Sequence, residues 1–219
     1  MKWNSLRIYA ADIGSISRGN FGWARAGKRS DEKNSDITTL VDRIAQDLAD
    51  KKLVTLGLEA PMFVPVPEDH RKLGGIREVD PGNRAWSAGA GAPVLATAIV
   101  QLGWLVRTLT ERVDNGWTDN VGVRWSRFEE INGPGLFLWE AMVTGPAKKG
   151  RERTNHNVVD AEAAAKAFDA LKLRGVRKLD AEGAQITNSL SLIGAVLAAN
   201  HVGGTSRSLI TEAPIVVKA

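Results

Sequence analysis

Asp12, Glu59 and Asp160 are the residues whose types and settings in this sequence point to chemistry. Asp12 closes an apolar run, Leu6-Arg-Ile-Tyr-Ala-Ala11, and Gly14 follows two residues later. Glu59 closes a second run, Leu53-Val-Thr-Leu-Gly-Leu58, directly before Ala60-Pro61. Asp160 lies in the first turns of an alanine-rich segment, just after the basic stretch Lys148-Lys-Gly-Arg-Glu-Arg153. A carboxylate at the end of a core strand has a task or needs a partner, because burying an unpaired charge is costly. If the strands lie side by side, the three acids converge at one edge of a sheet, where they repel unless a cation neutralises them. Oxygen-only ligands suit Mg²⁺ or Mn²⁺. Two such ions a few ångströms apart can activate a water and stabilise the leaving oxygen in phosphodiester cleavage. Each acid also has a plainer explanation. Asp12 could cap a turn, and Glu59 could pair with an arginine. Asp160 could be a first-turn acid favoured by the helix dipole, with Asn157-x-x-Asp160 as a loose capping box.

The elements that must position these residues follow from periodicity. Residues 5–12 alternate as a strand entering the core, Ser15–Asn20 is a turn, and Phe21–Ala26 completes a hairpin. Gly27 to Ser35 is a loop or a short third strand. Ile37, Leu40, Val41, Ile44 and Leu48 form one helical face over 36–51, with Ser35 or Asp36 as N-cap. Residues 61–92 carry so many prolines and glycines that they read as an irregular flap facing a substrate, or as a solvated loop. Arg71, Lys72, Arg77 and Arg84 make it basic, and Trp86 adds an aromatic ring. Pro93 suits the first turn of a helix running to about Arg112. Residues 117–135 are ambiguous. Leu136–Val143 is another core strand with Glu140 inside it. A helix then starts at Thr154 or Asn155 and runs to about Leu173, another spans roughly 188–199, and Ile215–Val217 suits a terminal strand.

Composition bounds the answer. The 219 residues, 43% of them hydrophobic, suit a single domain, 1–219, with the insertion at about 61–92 and a C-terminal helical extension at about 175–219. There is no cysteine, which excludes disulfides, thiolate metal sites and cysteine nucleophiles and agrees with a reducing cytoplasm. No signal-peptide order is seen at the N-terminus, and the apolar stretch 190–199 is too short to span a bilayer. A cytoplasmic protein without a membrane partner is expected. The net charge of +4 tilts toward an anionic partner such as nucleic acid. The candidate phosphate-backbone contacts are Lys148, Lys149, Arg151, Arg153, Arg71, Lys72 and Arg84. Most of the seven tryptophans are expected in the core. The three histidines lack a serine in a nucleophile-elbow setting, and no Walker A, zinc-helix or dinucleotide fingerprint is present.

The order is acid-ended strand, hairpin, helix, Glu-ended strand, helices, then an acid at the start of a late helix. It resembles the RNase H-like superfamily, and more narrowly its RuvC-like branch. The segments Ala11-Asp-Ile-Gly14, Gly57-Leu-Glu-Ala-Pro61 and His156-Asn-Val-Val-Asp-Ala161 look like the three acidic motifs. The last two are also similar to an uncharacterised bacterial and archaeal group of predicted RNase H-fold nucleases. The resemblance covers roughly 5–172. It implies an α/β fold with a mixed five-stranded sheet flanked by helices, two divalent metal ions, a nucleic-acid substrate, and Asp12, Glu59 and Asp160 as ligands. RuvC-like enzymes commonly carry a further acid one helical turn before the last; here that position is Asn157, with His156 preceding it. Either side chain can ligate or position a metal-bound water at reduced charge. Glu140 could compensate if it faces the site, or could serve in a buried structural pair.

Three functions compete. The first is a metal-dependent nuclease on DNA or RNA, one version being a structure-selective junction enzyme, usually a homodimer. The second is a nucleotide-binding protein of the actin-like superfamily, suggested by Asp12-Ile-Gly-Ser15, although no second glycine-rich phosphate loop is evident. The third is a catalytically inert RNase H-like module binding nucleic acid or protein, suggested by Asn157.

Overall fold

A computed structural model describes residues 3–27, 32–80, 85–144, 156–203 and 208–219. In chain order the strands and helices are β1 (Arg7–Asp12), β2 (Gly22–Ala26), β3 (Lys33–Asn34), α1 (Ile37–Ala49), β4 (Leu53–Glu59), β5 (Phe63–Pro65) and α2 (Gly91–Arg112). There follow β6 (Val121–Gly122), α3 (Trp125–Phe128), β7 (Gly135–Met142), α4 (His156–Gly183), β8 (Ser189–Ser191), α5 (Leu192–Ala199), α6 (Ser208–Thr211) and β9 (Val216–Lys218).

The fold is α/β, built on a mixed seven-stranded sheet with flanking helices. The order is β3-β2-β1-β4-β7-β6, with β9 also pairing β7. β1 runs antiparallel to β2 and parallel to β4, which in turn runs parallel to β7. The sheet therefore has two strands more than the five expected. β6 pairs β7 at Leu136 and Phe137, and β9 pairs it at Glu140 to Met142, so two short segments share one strand. β9 lies where a terminal strand was expected at Ile215–Val217, whereas β6, at two residues, holds no readable period. β3 is likewise only two residues long.

The sheet separates two apolar layers. Tyr9, Ala11, Leu56, Leu58, Leu136 and Leu138 face α1, α2 and α5. Ile8, Ala10, Phe137 and Trp139 face α4, where Phe168 stacks on Trp139 with ring centroids 4.6 Å apart. Strand side chains alternate between faces, so this assignment fixes the side on which every β1, β4 and β7 residue points. The predicted stripe of α1, from Ile37 through Leu48, is buried throughout. Asp36 is the N-cap and accepts from the Thr38 amide at 3.0 Å. Trp23, Trp117, Trp125 and Trp139 are fully buried.

Two boundaries differ from expectation. α4 continues past Leu173 to Gly183, interrupted by Lys172 at φ 51°, ψ −178°. Its second part brings Asp180 to the start of α3, where the carboxylate accepts from the Trp125 and Ser126 amides at 2.8 and 3.1 Å. The helix expected over 188–199 begins only at Leu192, because 189–191 form β8, which pairs β5; β9 joins the main sheet. The segment 61–80 is largely irregular; β5 pairs β8 in a separate two-stranded sheet, and the Arg77–Glu140 ion pair ties the segment to β7. α2 is 22 residues long, and its most apolar 18-residue stretch has a mean hydropathy of 1.4, so it meets the length and composition of a bilayer span. One face of it, including Ala98, Leu102, Leu105, Val106 and Leu109, is packed in the core.

Candidate active site

Asp12 and Glu59 are direct neighbours in the parallel β1–β4 register. Asp12 has the same parity as Ile8 and Ala10, and both acids therefore stand on the α4 side of the sheet. On the other flank of β1, Asp12 is paired with Gly22. α4 crosses the sheet there. A Cβ at Gly22 would lie 2.4 Å from the Val158 nitrogen and 2.5 Å from the Asn157 carbonyl carbon. Only a hydrogen at this position lets the first turn of α4 lie directly on β2.

That close approach delivers Asp160. Residues 157, 160, 161, 164, 165 and 168 form the buried stripe of the helix, at the i, i+3, i+4, i+7 spacing of one face. Asp160 is 4% exposed. One carboxylate oxygen from each of Asp12, Glu59 and Asp160 lies within 4.8 Å of the others. At that separation two ionised carboxylates repel by roughly 3–4 kcal/mol at an effective dielectric constant of about 20. Three of them in oxygen-only array fit a hard divalent cation in both ligand type and charge.

The remaining candidates fall in different places. Asn157 is buried on the same helical face, one turn before Asp160, so it can offer a neutral oxygen to that site. His156 is exposed at the helix start. Glu140 does not join the cluster. It is paired with Leu58 in the β4–β7 register and so projects from the opposite face to Glu59. There it accepts from Arg77 Nη1 and Nη2 and from the Met62 amide, each at 2.8 Å. Burial pushes the Glu140 carboxyl up, and the Arg77 charge opposes that shift. Arg77 also donates to Asp80 and to the Phe63 carbonyl and lies over the Phe63 ring. Arg71 is exposed and ion-paired with Asp69 in its own turn, and Lys72 is exposed beside it. Lys148, Lys149, Arg151, Arg153 and Arg84 lie outside the described residues.

A glycine two residues after Asp12 permits a sharp turn, which is present; the Gln101 contact behind it and the cavity beside it were not anticipated. Gly14 follows Asp12 in a turn so tight that a Cβ would sit 1.7 Å from the Asn20 carbonyl oxygen, and the Gln101 side chain of α2 donates to the Gly14 carbonyl at 2.7 Å. The loop behind Asp12 is thereby fixed from two sides. A cavity of about 340 Å³ opens beside the carboxylates, between the strand ends, Arg77 and the turn leading into α2. Asp12, Glu59 and Trp86 all line it. No protein-family model, curated protein or solved structure matches the chain.

Proposed function

We propose that this chain is a divalent-metal-dependent nuclease of RNase H-like architecture, hydrolysing phosphodiester bonds of DNA or RNA. The observation that carries the reading is the meeting of Asp12, Glu59 and Asp160 within 4.8 Å, from two adjacent strand ends and the first turns of a helix. The order of elements supports it, since the acids sit on the elements that the RNase H-like resemblance implies. Asp12, Glu59 and Asp160 would hold the ions, with Asn157 as a neutral donor nearby. Bound there, a pair of Mg²⁺ or Mn²⁺ ions supplies an activated water and neutralises charge at the scissile phosphate. The protein's part is positioning. Register holds Asp12 beside Glu59, Gly22 admits α4, and the Gln101 contact holds the Asp12 loop.

The test is calorimetric titration of Mn²⁺ and Mg²⁺ into the wild type and Asp12→Asn, followed by cleavage assays on single-stranded, duplex and branched DNA and RNA. Binding and metal-dependent cleavage, both lost in the variant, are expected. Absence of metal binding with and without nucleic acid refutes the reading. The neutral Asn157 favours one second reading, an inert module of the same fold, which metal-independent nucleic-acid binding without cleavage would establish.

A further inference from the structure

We infer that the cavity beside the carboxylates receives one unpaired nucleobase of the strand being cut, stacked against Trp86. The inference rests on the nuclease reading and adds a substrate class to it. The cavity holds about 340 Å³, at the lower end of the roughly 300–1,000 Å³ of small-ligand sites. That is room for a single nucleoside and too little for a duplex.

Its charge argues against a phosphate inside. Asp12, Glu59, Asp80 and Glu140 line it, and Arg77 is the only cation among the described lining residues. The Arg77 guanidinium is already engaged by Glu140, Asp80 and the Phe63 carbonyl. Away from the ions proposed at Asp12 and Glu59, an anion entering would meet Asp80 and Glu140 and, among the described residues, no cation beyond the engaged Arg77, whereas a neutral heterocycle meets apolar surface from Pro61, Ala85, Val94 and Val143. Trp86 supplies the stacking plane, which accepts any base because every base has a π-face. The Trp86 Nε1 is shielded from solvent and has no acceptor among the described residues. It is a donor only, and every nucleobase carries an acceptor.

Asp12 and Glu59 border the same cavity. A backbone phosphate at the carboxylates therefore leaves its base within reach of Trp86 only when that base is out of its helix. Extrusion of a paired base is unfavourable by a few kcal/mol. The enzyme should then prefer single-stranded or locally unpaired substrate.

The experiment measures binding, with Ca²⁺ as the added cation. Fluorescence anisotropy is read on labelled single-stranded DNA and RNA 12-mers, each carrying one abasic nucleotide moved through successive positions. One position should weaken wild-type binding by about 5- to 100-fold, as expected for loss of one stacked base. That penalty should vanish in Trp86→Ala and persist in Trp86→Phe. Ala88→Phe, at an exposed wall position, should also abolish it, and provides a test if Trp86→Ala does not fold. Tight strand binding with no position-specific penalty, or a penalty unchanged in Trp86→Ala and Ala88→Phe, overturns the inference and leaves the nuclease reading standing. No strand binding, together with no cleavage in Mn²⁺, overturns both.

Discussion

Replacing Gly22 by alanine tests whether the first turn of α4 is what completes the carboxylate cluster. The added methyl would sit 2.4 Å from one backbone atom of α4 and 2.5 Å from another, about 1 Å short of ordinary contact at 3.4 Å. Both obstacles are main chain and cannot rotate away, so the helix start must withdraw from β2 by about that distance. Overpacking of this kind costs about 1–3 kcal/mol. For a domain of this size that is a fall of roughly 2–12 °C in Tm. Asp160 rides on the same turn, and a displacement of about 1 Å can cost about 100-fold where geometry is demanding. Mn²⁺ affinity of Gly22→Ala should therefore fall by about 10- to 100-fold, measured by calorimetry beside thermal unfolding of the metal-free protein. The sign is diagnostic. Where space allows, glycine-to-alanine replacement stabilises by about 0.4–1 kcal/mol through the unfolded chain. An unchanged or raised Tm with unchanged Mn²⁺ affinity would refute the reasoning.

Glu59→Gln and Asp160→Asn should each weaken Mn²⁺ binding by about tenfold or more. They should also remove the Tm rise that Mn²⁺ at 100 times its Kd gives the wild type, equivalent to about 2.7 kcal/mol. Asn157→Asp adds a fourth carboxylate beside the cluster, one helical turn before Asp160; the metal-free Tm should fall and the Mn²⁺-induced rise should grow, both read in one thermal-shift series. Arg77→Ala strands the buried Glu140 and should cost about 3–5 kcal/mol in urea unfolding, with part recovered in Arg77→Ala/Glu140→Gln. Asp36→Ala removes the α1 cap and should cost about 0.5–1 kcal/mol at neutral pH, the low end for an exposed cap. Hydrogen bonds from Thr38 and Thr39 hold the Asp36 carboxyl below its usual value. Its contribution is thus present above the unfolded pKa of about 3.9 and lost as pH falls through the lower folded value. The difference between wild type and variant should close below about pH 4.

What could be read in the sequence was whatever repeats over several turns or pleats. The α1 face from Ile37 to Leu48 spans three turns, and each of those residues is buried. β1, β4 and β7 are six to eight residues long and were each found in place. Among the short strands of the main sheet, β9 falls within a residue of the expected Ile215–Val217 and β3 inside the stretch left as loop or strand, whereas β6 was not found, because its two residues owe their conformation to β7 and have no period of their own. The end of α4 was missed for a related reason. Lys172 interrupts the helix, yet Asp180 is drawn back by two amides at the start of α3, a contact 54 to 55 residues away along the chain.

The site divides along the same line, and Glu140 shows where. An acid inside Leu136-Phe-Leu-Trp-Glu-Ala-Met-Val announces that something must balance it, and composition alone offers two answers, a metal or an arginine. Parity chooses between them. In a parallel pair, neighbours in register share a face, so Asp12 and Glu59 stand together while Glu140, level with Leu58, stands behind the sheet. A shift of one residue in the β4–β7 register would have placed Glu140 with the other acids. That register is held where the Trp139 indole packs over Gly57, a position at which a Cβ would meet the ring at 2.4 Å. The absence of a side chain at Gly57 therefore does two things at once. It makes room for the aromatic stack of Trp139 on Phe168 that seats α4, and it keeps a fourth carboxyl group out of a cluster that already holds three.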